Sequence, residues 1–275
     1  MVEESVVTLA SGLTLSYASV GAAGQPTVVM LPGPTDSWRS YEPTLRRLTP
    51  SVRGLAVSPR GHGDSEKPTS GYAVRDYATD TVQLLDALTI ERAVLVAHSG
   101  ACMTARRSAL DDPGRVAGLV LEASPTTLVG EAALEDFVTS VVAGLEDPID
   151  PDFARGWIGD TSSEETLTRN ETEVLIADVL KVPAHVWKET FGSLLTYDDT
   201  NELSGLDAPT RLIWGDMDQL VARAAQDALV RLIPSAELSV YAGAGHAPRW
   251  DEPDRFAEEV EAFTIDCDVG PRRAP

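Results

Sequence analysis

The sequence predicts an α/β fold in which helices cover both faces of a mostly parallel central sheet. Two observations support this prediction. Short apolar runs alternate along the chain with longer segments whose apolar residues recur at helical spacing, and this alternation is typical of parallel sheets. The alternation stops over residues 124–206, which are acidic and helix-like, and it resumes at Thr210. One α/β domain with a helical insertion therefore accounts for the chain.

The predicted strands begin with a hairpin, because Ser11 and Gly12 form a turn between two strand-like runs. The later strands are short, mostly apolar runs, which is the pattern of strands that are covered on both faces. In chain order we predict the hairpin over Val6–Val20 and strands over Thr27–Leu31, Gly54–Ser58, Ala93–Ala97, Ala117–Leu121, Thr210–Gly215 and Glu237–Tyr241.

The predicted helices lie between these strands, where apolar residues recur every three to four positions. The helix after Ala93–Ala97 ends at Asp111–Gly114, because Pro and Gly interrupt helices. In chain order we predict helices over Trp38–Leu48, Tyr72–Leu88, Ala101–Leu110, Ala224–Ile233 and Pro253–Phe263.

The helical insertion divides the chain into a core and a cap. We assign residues 1–123 and 207–267 to the α/β core, residues 124–206 to a helical cap, and residues 268–275 to a tail that we expect to be disordered. A helical segment inserted between two strands of one sheet is typical of a lid over the carboxyl edge of that sheet.

The composition excludes several classes of partner. The chain has 275 residues, with 43 acidic and 22 basic side chains and a net charge of −21. Nucleic acids and anionic membranes both require clustered Lys and Arg, so we expect neither as a partner. The two cysteines, Cys102 and Cys267, do not imply a disulfide. We expect a cytoplasmic monomer or homodimer that acts on a small molecule.

Ser99 is the most informative residue, because it lies between the apolar run Ala93–Ala97 and the helix Ala101–Leu110. A serine on such a sharp strand-to-helix turn is strained and exposes its hydroxyl above the sheet. Strand and helix pass closely there, and the small Ala97 and Ala101 meet this requirement. The pattern therefore indicates a nucleophile, with an ordinary helix N-cap as the alternative.

A nucleophilic serine needs a base, and the base needs an acid that orients it. His246 follows the last predicted strand in the Gly-rich loop 242–248, at the edge where open α/β sheets bind ligands. Asp218 follows the strand Thr210–Gly215, and the 28 positions from Asp218 to His246 leave room for one helix and one strand. We expect Asp218 to be the acid, with Asp216 and Glu122 as alternatives.

These motifs resemble those of the Ser-dependent members of the α/β-hydrolase superfamily, and the resemblance extends from Val6 to Phe263. The motifs that carry it are Pro32-Gly33-Pro34, the loop Arg60–Ser65, Ser99, Trp214-Gly215 with Asp218, and Gly245-His246. The resemblance implies the α/β-hydrolase fold with a helical cap. It also implies that Ser99 is the nucleophile, His246 the general base and acid, and Asp218 the orienting acid of an esterase- or lactonase-like enzyme.

The chain departs from the family at the oxyanion hole, where two backbone N–H groups usually stabilise the tetrahedral oxyanion. The first is that of the residue after the nucleophile, here Gly100. The second falls on Pro34, which has no N–H. Three arrangements remain open: the N–H or the hydroxyl of Thr35 replaces it, Gly33 donates, or the hole has a single donor.

The substrate pocket is less well defined by the sequence. We expect Trp38, Trp187, Arg249 and Trp250 to border it, with Arg249 either binding a substrate carboxylate or pairing with an adjacent acidic residue. The expected reaction is hydrolysis of an apolar ester or lactone without a metal or cofactor. The alternatives are cleavage of a carbon–carbon bond in a diketone by the same residues, and ligand binding with little turnover, which Pro34 leaves open.

Overall fold

The computed structural model describes residues 1–161 and 167–269 of the chain. Its strands are β1 (Glu3–Thr8), β2 (Thr14–Val20), β3 (Thr27–Leu31), β4 (Arg53–Val57), β5 (Ala93–His98), β6 (Val116–Glu122), β7 (Thr210–Gly215) and β8 (Ala236–Tyr241). Its α-helices are α1 (Glu42–Leu45), α2 (Val74–Ala87), α3 (Ala101–Asp111), α4 (Ala132–Ser140), α5 (Pro151–Thr161), α6 (Arg169–Val179), α7 (Ala184–Leu194), α8 (Arg223–Leu232), α9 (Pro248–Asp251) and α10 (Pro253–Val269). Short 3-10 turns cover Trp38–Tyr41, Val142–Gly144 and Leu203–Gly205.

The strands form one sheet in the order β1-β2-β4-β3-β5-β6-β7-β8. Strand β2 is antiparallel to both β1 and β4, and the remaining pairs are parallel. The predicted α/β class with a mostly parallel sheet is therefore confirmed. The strand order reverses at β3, because β4 lies on one side of β3 and β5 lies on the other. Open α/β sheets bind ligands at such a reversal, beyond the carboxyl ends of the strands.

The central strands are apolar throughout because helices cover both faces of the sheet. In β5, Leu95 belongs to the core on one face, while Val94 and Val96 belong to the core on the other face. In β6, Leu119 and Val120 divide between the two faces in the same way. Successive side chains of a strand point in opposite directions, so a strand covered on both faces loses the apolar–polar alternation.

Helices α4–α7 lie between β6 and β7 in the sequence, as predicted for an insertion. Their apolar side chains form a core of their own around Trp187, Phe191 and Val179. Met103 of α3 and Trp250 of α9 also belong to this core, so it is continuous with the carboxyl edge of the sheet. The domain boundaries at residues 124 and 206 stay a prediction.

Two predicted elements differ from those observed. The helix predicted over Trp38–Leu48 is instead a 3-10 turn followed by the short α1. Helix α10 continues beyond Phe263 to Val269, so the predicted disorder is wrong for Asp268. The reason is that Phe263 and Cys267 pack where Gly118 of β6 leaves room, since a Cβ on Gly118 would lie 2.7 Å from Cys267 Sγ. Residues 270–275 of the predicted tail lie outside the described residues.

Within the described ranges, none of the helices is both long enough and apolar enough to span a bilayer.

Candidate active site

Ser99 lies at the carboxyl end of β5 in a strained backbone conformation, with φ +53°. Its N–H donates to the carbonyl of Glu122 on the adjacent β6 (2.9 Å), and its own carbonyl accepts from Cys102 N–H (3.0 Å). The left-handed region is unfavourable for a residue with a Cβ, and such strain persists where the surrounding structure enforces it. The sharp turn predicted between strand and helix is therefore present.

Ser99 is not the N-cap of α3. The residue at that position is Gly100, and no side chain caps the helix N-terminus. The Ser99 hydroxyl is therefore not used to satisfy the first amides of α3, and the helix-cap interpretation of this serine does not describe the structure.

His246 and Asp218 form a buried hydrogen-bonded pair after β8 and β7. His246 Nδ1 lies 3.1 Å from Asp218 Oδ1 and 3.0 Å from Oδ2. The His246 side chain is 8% exposed and the Asp218 side chain 0%. A proton on Nδ1, which this contact favours, leaves the Nε2 lone pair of a neutral imidazole free to accept a proton from another group.

The two alternative acids have other partners. Asp216 Oδ1 accepts the N–H of Gly243 (2.7 Å) in the loop before His246. Glu122 is buried and accepts from Arg249 N–H (2.9 Å) and Nη1 (3.0 Å). Burial raises the pKa of Glu122, and Arg249 opposes that shift. Among the described residues, Asp218 is the carboxylate that contacts the His246 ring.

Arg249 lies beneath the site and does not face a substrate pocket. Its side chain is 0% exposed and is bound by Glu122 (3.0 Å) and Asp36 (3.3 Å). Burial raises the pKa of Asp36 to about 6, although Arg249 acts to lower it. Trp250 Nε1 donates to the carbonyl of Ser40 (2.9 Å). These contacts fix the segment after His246 against the segment after β3, and the acidic partners of Arg249 are Glu122 and Asp36 instead of an adjacent acidic residue.

His98 joins the Ser99 turn to the loop that bears His246. Its Nε2 lies 3.0 Å from the carbonyl of His246, and the two imidazole rings are 4.8 Å apart between centroids. Burial lowers the pKa of His98 well below its usual value, so the ring is neutral. No hydrogen-bond partner for His98 Nδ1 is found in the described part of the chain. The only feature of the sequence that points to this contact between His98 and the His246 loop is the position of His98 directly before Ser99.

The predicted oxyanion residues form a tight turn beside Ser99. Asp36 N–H donates to Gly33 O (3.1 Å), and Thr35 has φ +77°. Pro at the second and a positive φ at the third position are the features of a type II turn. A Cβ on Gly100 would lie 3.0 Å from Pro34 Cγ, so the turn packs directly on the start of α3. Over residues 1–161 and 167–269, no hydrogen bond uses the N–H of Thr35 or that of Gly100.

Two helices of the insertion hold this turn. Trp157 Nε1 of α5 donates to Thr35 Oγ1 (2.8 Å). Ser37 Oγ donates to Asp178 Oδ2 of α6, and Asp178 also accepts from Lys181 Nζ (2.9 Å). Asp178 is buried. Neither contact could be predicted from the sequence, because each joins residues more than a hundred positions apart and neither follows from a motif.

A cavity, called here the α2–α3 cavity, opens beside the turn. Gly33, Pro34 and Gly100 border it, and its remaining wall is formed mainly by apolar side chains of α2, α3, α7 and the strands. The four residues expected to border the pocket do not line this cavity. They are buried elsewhere: Trp38, Trp187, Arg249 and Trp250. No cluster of three or more His, Cys, Asp or Glu that could bind a metal occurs in the part of the chain that the structure describes.

Comparison with known proteins adds a family match and full-length relatives. A family model described as the alpha/beta hydrolase fold matches residues 26–253. A non-heme chloroperoxidase from Streptomyces lividans is 27% identical over 277 aligned positions, which cover 94% of this chain and 98% of the relative. A 2-(acetamidomethylene)succinate hydrolase from Mesorhizobium japonicum is 26% identical, with 91% of each chain covered. The crystal structure of a hydrolase from Pseudomonas aeruginosa superposes with a TM-score of 0.84 and 26% identity, covering 95% of this chain and 98% of that one.

Proposed function

Because the chain belongs to the α/β-hydrolase fold family, we propose that it is a serine hydrolase that cleaves a carboxylic ester or a lactone through an acyl-enzyme. The family match confirms the fold and the resemblance that the sequence motifs indicated. Hydrolase chemistry is supported by relatives that are themselves named hydrolases. The ester or lactone bond and the role of each residue are the parts that we propose.

The observation that carries the proposal is the contact of His246 Nδ1 with both carboxylate oxygens of Asp218. It occurs at the edge of the sheet where Ser99 adopts φ +53°. The chain order Ser, Asp, His is the one that a nucleophile elbow of this fold uses. His98, which precedes Ser99, contacts the backbone of His246, so the serine and the histidine belong to the same small region.

The proposed reaction has two halves. Ser99 Oγ attacks the carbonyl carbon while His246 Nε2 takes the hydroxyl proton, and the tetrahedral intermediate then expels the alcohol, which leaves with that proton. Water next attacks the acyl group and gives a proton to His246, and collapse releases the acid and returns the proton to Ser99. With a lactone, the alcohol and the acid are parts of one product. Asp218 orients His246 and stabilises its charged form.

We propose that the amides of Thr35 and Gly100 bind the oxyanion. Pro34 cannot donate, and the turn in which Thr35 has φ +77° packs on Gly100. Both amides lack another acceptor among the described residues. The Thr35 hydroxyl accepts from Trp157, which supports a positioning role for the hydroxyl and a donating role for the amide.

The proposal is tested by labelling the folded protein with a fluorophosphonate probe and locating the adduct by peptide mass mapping. We expect one adduct on Ser99, which His246→Gln abolishes. His185→Gln is a matched control, because His185 lies in α7 of the helical insertion and bonds the carbonyl of Pro68 (2.9 Å) instead of Asp218. Folded protein that takes up no label, or takes it up on another residue, would show that Ser99 is not the nucleophile.

A panel of esters, lactones and diketones then identifies the bond. Faster turnover of diketones than of esters and lactones would replace the proposed reaction with carbon–carbon bond hydrolysis.

The net charge of −21 supports a small molecule over a nucleic acid or an anionic membrane as the partner, and a cytoplasmic location stays part of the proposal.

A further inference from the structure

The Arg60–Asp80 ion pair places one of its members, Asp80, on the wall of the α2–α3 cavity. Asp80 of α2 lines the cavity and is 4% exposed. Its two carboxylate oxygens accept from Arg60 Nε and Nη2, both at 2.6 Å. The third nitrogen, Nη1, donates to the carbonyl of Gly71 (2.6 Å). Such a two-pronged contact uses the donors that an arginine offers to a carboxylate ligand, and Arg60 itself is not among the residues that line the cavity.

The other polar groups of the cavity are uncharged, and most of them are bonded to one another or to the backbone. His62 Nδ1 contacts the carbonyl of Arg60 (2.7 Å), and burial lowers the pKa of His62 to about 4, so the ring is neutral near pH 7. The hydroxyls of Tyr77 and Thr190 bond each other (2.8 Å). Thr81 Oγ1 donates to the carbonyl of Tyr77 (2.9 Å). None of these groups offers a positive charge to a ligand.

The positive charge of Arg249, which acts on His98 beside Ser99, is equally compensated. Arg249 is completely buried between Glu122 and Asp36. The whole chain carries a net charge of −21, which repels anions at a distance. A carboxylate that entered the cavity would lose its hydration without gaining a counter-ion, and burial of an unpaired charge is strongly unfavourable.

We propose that the Arg60–Asp80 pair is a specificity determinant, which makes the α2–α3 cavity accept an uncharged acyl group and reject one that carries a carboxylate. The inference rests on the proposed function, because the acyl group is the one that an ester would transfer to Ser99. Gly100 and Pro34 border the cavity, and the apolar side chains of Leu15, Leu31, Val57 and Leu84 also line it. These features suit an aliphatic acyl chain.

The first test uses three p-nitrophenyl esters of similar length: the heptanoate, the adipamate and the mono-adipate. The adipamate and the adipate have nearly the same shape and differ in charge, so their ratio separates charge from polarity. We expect kcat/KM for the adipate to be at least about 100-fold below that for the adipamate, because the carboxylate is buried unpaired. Equal values for the two would overturn the proposal.

The second test changes the charge of the cavity. Asp80→Asn leaves the Arg60 guanidinium uncompensated, and we expect the adipate/adipamate ratio of kcat/KM to rise at least about 10-fold. Asp86→Asn is the matched control: it removes the same charge from the same helix, but Asp86 pairs with Arg115 (2.5 Å) and does not line the cavity, so the ratio stays within about threefold of the wild-type value. Thr104→Lys, which adds a cation to the wall and leaves the pair intact, raises the ratio as well. A ratio that neither Asp80→Asn nor Thr104→Lys raises would refute the inference.

A binding measurement separates this inference from the proposed function. Ser99→Ala protein is titrated with methyl heptanoate, methyl adipamate and monomethyl adipate, and binding is followed by ligand-detected NMR. Binding of the two neutral esters with exclusion of the adipate supports the charge selection even if Ser99 takes up no fluorophosphonate. Equal binding of all three overturns it even if Ser99 is the nucleophile.

Discussion

The carboxylate of Asp218 is held from two sides. His246 Nδ1 contacts both oxygens, and the backbone N–H groups of Leu220 (2.8 Å) and Val221 (3.0 Å) donate to Oδ1. The backbone bonds fix the plane of the carboxylate before any substrate arrives, so His246 is oriented without reorganisation. They also explain why Asp218 contacts the ring whereas Asp216, two residues earlier, binds the amide of Gly243.

Replacement of this carboxylate gives the first prediction. Asp218→Asn preserves the shape but favours the wrong tautomer of His246, and we expect kcat to fall on the order of 10⁴-fold. Asp216→Asn is the matched control and keeps kcat within a few-fold. Steady-state hydrolysis of p-nitrophenyl heptanoate measures both. Similar losses in the two variants would contradict the assignment of Asp218.

His62 predicts a pH dependence of stability. The pKa of its buried ring is about 4, whereas an unfolded histidine titrates near about 6.5. Between these values the unfolded chain binds a proton that the folded chain does not, so this group makes the free energy of unfolding fall as the pH drops from 6.5 towards 4. The loss reaches about 3 kcal/mol at the lower end.

The check is urea unfolding of the wild type and of His62→Gln from pH 7 to pH 4.5. The variant should show a smaller loss of unfolding free energy towards low pH. The comparison must be between the two proteins, because Asp36, whose pKa is raised to about 6, contributes a slope of the opposite sign. Parallel pH profiles would contradict the prediction.

At the scale of elements, the turn Gly33–Asp36 depends on the helical insertion. Trp157 of α5 donates to Thr35, and Asp178 of α6 accepts from Ser37. The proposed oxyanion donor is therefore supported by helices that lie more than a hundred residues further along the chain. Thr35 keeps its unfavourable φ of +77° because neighbours on both sides restrain it.

Removal of the Trp157 donor gives the corresponding prediction. Trp157→Phe keeps an aromatic ring but loses the N–H, and we expect kcat to fall about 10-fold with a smaller change in KM, the effect of one hydrogen bond. Trp187→Phe is the matched control. Trp187 lies in the same aromatic cluster, but its Nε1 has no partner among the described residues. Trp187→Phe should lower Tm and leave kcat within about twofold of the wild-type value.

Thr35→Val completes a double-mutant cycle, because it removes the hydroxyl and keeps the amide. We expect a loss similar to that of Trp157→Phe, and no further loss in the double variant, since both changes break one contact. A loss of about 100-fold or more in Thr35→Val alone would show that the hydroxyl, and not the amide, binds the oxyanion.

At the scale of the whole molecule, the sheet and the pairing of Asp218 with His246 could be predicted, because both follow from the chain order of strand ends. The apolar run at β5 and the loop after β8 are local signals. The environment of Arg249 could not be predicted, since Glu122 and Asp36 reach it from strands and turns far away in the sequence. The α2–α3 cavity, the contact of Trp157 with Thr35 and the extension of α10 to Val269 depend on packing for the same reason.

The net charge of −21 gives a prediction at this scale. Long-range repulsion of an anionic ester is screened when the Debye length falls from about 30 Å at 0.01 M salt to about 3 Å at 1 M salt. The kcat/KM of p-nitrophenyl adipate should therefore rise several-fold over this range, while that of the adipamate stays constant. A preference for the adipamate that vanishes at 1 M salt would assign the selection to net charge instead of to the Arg60–Asp80 pair.

The most direct measurement of the central claim is time-resolved mass spectrometry of the protein during hydrolysis of p-nitrophenyl heptanoate. If Ser99 is the nucleophile, we expect a burst of one p-nitrophenolate per protein molecule and a transient heptanoyl group that maps to Ser99, neither of which appears in Ser99→Ala. Steady release of p-nitrophenolate with no acylated protein, or an acyl group on another residue, would contradict it.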